Sequence, residues 1–149
     1  METKIYSSSG FAHHCSAEEL YVLTRHWLSD LHFFAEEINY FLSMGCHQAF
    51  PGLDTQLVLK IENIRSEFKE MLQQKEHLEE CIIVHQTAIS HSLDNNGRNK
   101  GKFNNFNILQ SKLEGELFDF IKKLRQVKLR FFEATKKAFT NKSHDKVVA

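Results

Sequence analysis

Two cysteines and a small group of histidines stand where they could bind a metal. His13, His14 and Cys15 follow one another, and Cys81 and His85 are separated by four positions. On a helix that separation puts both side chains on one face, one turn apart. Two thiolates with one or two imidazoles make a tetrahedral zinc set. Cys15, Cys81, His85 and His13 are therefore candidate ligands of a zinc-binding module, with Glu114 and His91 as outer partners. The spacing is loose: no pair forms C-x-x-C. Cys81 and His85 serve equally as a small buried hydrophobe and a hydrogen-bonded core imidazole.

Other chemistries find less. A di-iron carboxylate bundle needs Glu-x-x-His on its inner faces, but Gln74 and Ile82 stand three places before His77 and His85. Cys46 and His47 adjoin at an expected helix end, where a thiol pKa can fall. Adjacency without an oriented base or oxyanion loop defines no nucleophile. Asn96-Gly97 is turn chemistry, and no glycine-rich phosphate loop occurs. The chain reads as a non-enzyme.

Two features concern charge. Lys75 falls in an otherwise apolar stripe, which suggests a buried stem with its ammonium at the edge, against Trp27 or paired with Glu116 or Asp119. Lys122, Lys123, Arg125, Lys128, Arg130, Lys136 and Lys137 form a basic stretch, the one argument for nucleic-acid binding. Nineteen basic and nineteen acidic residues cancel over the chain. Residues 1–54 hold seven acids against Lys4 and Arg25, so these bases are expected to meet carboxylates of the same protein.

The elements that must position these groups are helices. Leu113, Leu117, Phe120, Leu124, Val127, Phe131, Ala134 and Ala138 follow a three-four spacing. That is one stripe along a helix for seven turns, and it calls for partner helices. Leu57, Ile61, Ile64, Phe68, Met71, Lys75, Leu78, Ile82, His85 and Ile89 repeat the pattern, as do Leu20, Trp27, Leu31, Phe34, Ile38 and Phe41. Ser16-Ala17-Glu18-Glu19 fits a capping box, and Asp54 an N-cap. Gly45 and Pro51-Gly52 bracket the first connection.

The predicted fold is all-α, an antiparallel up-down-up bundle of three long helices in one domain spanning residues 1–149. Residues 1–15 read as a flexible leader, 93–103 as a mobile loop and 141–149 as a frayed tail. A hairpin turning symmetrically at residue 50 would set residue 15 level with His85 and Trp27 near Lys75, which is what assembles the zinc set.

Phe106, Ile108, Phe118, Ile121, Leu129 and Phe132 widen the third helix's apolar face beyond one seam. An exposed remainder favours self-association. The leading expectation is thus a non-enzymatic interaction or assembly protein, homo-oligomeric or bound to another protein, with Phe118, Ile121, Leu129 and Phe132 as contact residues. Zinc binding and nucleic-acid binding are the alternatives. Three scattered cysteines suggest reduced thiols. No apolar run beyond Ile82-Ile83-Val84 suggests a span, and Met1 to Gly10 lacks a secretory apolar core. A cytoplasmic protein is expected.

Overall fold

A computed structural model describes residues 16–44, 54–94 and 100–148, with side chains described over 106–138 of the last segment. It is a bundle of three helices: α1 (Ala17–Met44), α2 (Thr55–Asp94) and α3 (Lys100–Val148). α2 packs on both neighbours, antiparallel to each.

The starts are capped as their sequences require. The Ser16 hydroxyl accepts from the Glu19 amide at 3.2 Å and donates to the Glu19 carboxylate at 3.2 Å. The carboxylate thus closes the box on the hydroxyl. The Gln56 amide donates to Asp54 Oδ1 at 3.4 Å, while the Asp54 carbonyl accepts the first helical bond of α2 from Val58. α1 ends at Met44, directly before Gly45. Arg65 of α2 donates to the Leu42 carbonyl, one of the four that a helix leaves without an internal partner.

The third helix runs further than its apolar stripe. It begins at Lys100 and continues to Val148, where the sequence suggested a loop and a frayed tail. No proline or glycine interrupts residues 116–148, so nothing local stops the helix once packing has nucleated it.

The hairpin is offset from the symmetric expectation. Arg65 reaches Leu42, and Phe41 stacks on Phe68. These pairs shift α1 against α2 by about two turns, so that His85 lies level with residues 20–24 of α1. Lys75 correspondingly stands away from Trp27. It pairs with Glu79, one turn along its own helix.

The core holds two apolar clusters. The larger runs from Trp27, Ile82 and Leu113 to Leu57 and Ala138. Its densest part is aromatic: Phe41 and Phe68 stack at 5.5 Å with planes 3° apart, and Phe131 meets Phe41 edge-on at 5.2 Å. The smaller contains Leu20, Ile89 and Phe106. No described helix is long and apolar enough to cross a membrane.

Candidate functional site

A polar layer lies between the two clusters, beside the half-buried Leu23 that packs against both. His85 of α2 is buried, with Nε2 hydrogen-bonded to Oε1 of the buried Gln110 on α3. The Gln110 amide donates in turn to the Leu20 carbonyl of α1 at 3.5 Å. One relay therefore joins all three helices. Because Gln110 offers its oxygen, His85 carries its proton on Nε2. Nδ1 has no described partner. Burial pushes the imidazole pKa below its ordinary 6.5, outweighing the opposing Gln110 bond, so the ring is neutral. Thr24, also buried, returns its hydroxyl to the Tyr21 carbonyl at 2.6 Å.

Two further polar groups lie on the same side of α3. Asn107, Gln110 and Glu114 are spaced three and four apart, a single stripe. Asn107 Oδ1 and Glu114 Oε1 are buried without a described partner. Burial alone drives the Glu114 carboxyl above its ordinary range. A carboxyl whose pKa rises on folding favours the native state below about pH 4.5 and loses that advantage as pH climbs through the folded value. Glu114→Gln is accordingly expected to raise stability at pH 7 by about 1–2 kcal/mol and to leave it unchanged near pH 4. Urea unfolding at the two pH values checks this.

Of the four zinc candidates, the described residues include Cys81 and His85. Cys81 is half-buried against the larger cluster, and its sulfur lies 3.9 Å from His77 Nε2. His85 is committed to Gln110. Cys15 and His13 lie outside the described residues, as do Cys46 and His47. Among the described residues, no three His, Cys, Asp or Glu side chains converge. The offset hairpin sets His85 level with residues 20–24 of α1.

Two residues of the basic stretch pair with neighbouring helices. Lys128 pairs with Glu37 of α1, and Arg130 binds Glu67 of α2 at 2.7 Å. The Glu67 bond raises the Arg130 pKa further. An open groove of about 650 Å³ lies between α2 and α3, floored by Leu78 and Phe120 and edged by Glu70, Glu116 and Asp119.

The contact residues expected on α3 fall into two environments. Phe118, Leu129 and Phe132 are exposed at 48%, 60% and 52%, whereas Ile121 is half-buried against the core. Phe106, also read as surplus, is buried in the smaller cluster. α1 contributes exposed residues that the sequence reading omitted: Phe33 and Tyr40, at 64% and 62%, with Met44. Phe33, Glu37, Tyr40 and Met44 are spaced four, three and four, one stripe. Phe118, Ile121, Arg125, Lys128 and Phe132 make the matching stripe on α3. The Glu37–Lys128 pair joins the two, so both stripes border one face of the bundle. Phe132 also meets Phe41 edge-on at 5.4 Å, continuous with the core beneath.

No protein family, curated protein or solved structure matches this chain.

Proposed function

We propose that this chain is a non-enzymatic helical-bundle protein that assembles with a protein partner through the face shared by α1 and α3. One observation carries the reading: four large side chains, Phe33, Tyr40, Phe118 and Phe132, are each about half or more exposed on adjoining stripes of two helices. Scattered apolar residues are ordinary on a surface, but a contiguous patch across two elements is characteristic of an interface. Its composition fits, since aromatic residues dominate interface energetics. The half-buried Glu37–Lys128 pair supplies a fixed polar centre beside them.

A photoreactive phenylalanine analogue tests the reading in cells. Placed at Phe118, it is expected to yield a covalent protein adduct. Placed at Leu59 on α2, an exposed residue outside this face, it is expected to yield none. No adduct from position 118, or equal yields from both positions, would reject the proposal.

A further inference from the structure

We infer that the partner on the α1/α3 face is an acidic amphipathic helix of another protein, laid along the outward side of α3. The inference rests on the interaction reading above and adds the chemistry of the occupant.

The outward side of α3 presents Phe118, Lys122, Arg125, Leu129 and Phe132, at gaps of four, three, four and three. All five are exposed. That is the heptad spacing at which two helices stay in contact side by side. The two cations stand one turn apart between apolar neighbours, and neither engages another described group. The α1 stripe of Phe33, Glu37, Tyr40 and Met44 offers a single acid, Glu37, and Lys128 already holds it.

This interleaving decides the occupant. Whatever covers Phe118, Leu129 and Phe132 also takes water from Lys122 and Arg125, because they lie between them. Stripping water from an unpaired charge is costly, and that cost is offset only where a carboxylate takes the water's place. Carboxylates three or four positions apart on a helix match two cations one turn apart. The partner helix therefore sets two such acids among apolar residues of heptad spacing, with the exposed Phe33 and Tyr40 of α1 flanking it.

Other occupants fit less well. A second copy docking through this face brings the same two cations and no unpaired acid on either stripe. A lipid surface takes helices whose polar and basic residues lie on the side opposite the apolar face, whereas here the bases interrupt it. A phosphate backbone is held by many free bases, and Lys128 and Arg130 are already bound to carboxylates.

The photoreactive analogue at position 118 of the full chain, in cells, tests this when the adduct is digested and the joined segment sequenced by mass spectrometry. The expected segment comes from another protein, carries net negative charge and has apolar residues three and four apart. Lys122→Glu with Arg125→Glu is expected to lower the adduct yield about tenfold or more, since like charges across an interface are strongly disfavoured. Lys60→Glu with Lys69→Glu makes the same charge change at exposed positions of α2 and is expected to leave the yield unchanged. All four residues are exposed, so folding is preserved, and circular dichroism of the purified variants verifies that. An adduct to a second copy, or to a segment without net negative charge, would overturn the acidic helix and leave the interaction reading standing. Equal yields from the two double variants would do the same. An adduct to phospholipid or nucleic acid alone, or no adduct, would remove both.

Discussion

Phe68→Ala is expected to lower the unfolding free energy by about 3–5 kcal/mol, a large loss for one substitution. Phe68 is fully buried and stands where the three helices meet. Its ring lies flat on Phe41 of α1 and meets Phe131 of α3 edge-on at 6.0 Å. Truncation removes the transfer energy of a whole ring and leaves a cavity walled by two other rings. Those rings are held by their own contacts: Phe41 also touches Phe132. The site cannot collapse cheaply, which places the cost high in the usual range. Urea denaturation followed by circular dichroism measures it, with Phe33→Ala as the exposed comparison. A loss under 1 kcal/mol for Phe68→Ala would mean that the aromatic junction does not hold the bundle together.

The second large effect belongs to the polar layer. His85→Leu leaves the Gln110 oxygen buried and unpaired, which is expected to cost about 1–3 kcal/mol at pH 7. It also changes the response to acid. The folded-state pKa of His85 is depressed below the 6.5 of an exposed imidazole. Below about pH 6.5 the unfolded chain takes up a proton that the folded chain refuses. The stability that neutral His85 provides is present above that value and is lost as pH falls through the folded pKa. Between pH 6.5 and 5 the unaltered protein is thus expected to weaken steadily, while the leucine variant follows a flatter line. Unfolding free energies at half-unit pH steps read the two slopes directly. Parallel slopes would show that another group governs the acid limb.

Much of the fold is visible in the order of residues, for a simple reason. A helix that must bury one stripe repeats its apolar positions every three or four residues, and that period survives any detail of packing. Leu57, Ile61, Ile64, Phe68, Met71, Leu78, Ile82, His85 and Ile89 are all buried on α2. Lys75, the interruption, is half-buried with its ammonium on Glu79. Register is another matter. Periodicity fixes which side of a helix faces inward but is indifferent to sliding by whole turns. Ten residues separate Met44 from Thr55, enough to absorb the offset that moves His85 toward Leu20.

The polar layer was half legible for a related reason. His85 sits in its stripe and draws attention. Its partner Gln110 occupies the corresponding slot on α3, four residues after Phe106 and three before Leu113. A glutamine at that spacing is a usable signal, because a stripe position is buried whatever stands there. The exposed aromatics of α1 were missed because each lies one residue before or after a core position: Phe33 beside Phe34, Tyr40 beside Phe41. In a broad apolar face such neighbours look like core. Only the direction of α3, marked by Glu37 and Lys128, separates the two.

The layer formed by His85, Gln110 and the Leu20 carbonyl also bears on how the bundle breathes. Apolar contact is what makes unfolding contiguous, and between the cluster around Trp27 and the one around Leu20, Ile89 and Phe106 it narrows to the half-buried Leu23, which packs against both. Among the described residues, three buried apolar side chains on one side stand against a far larger cluster on the other. Fluctuations therefore have a natural boundary: the small end can open and reclose as a unit while the aromatic junction stays shut. The hydrogen-bond relay lies along the boundary of that motion.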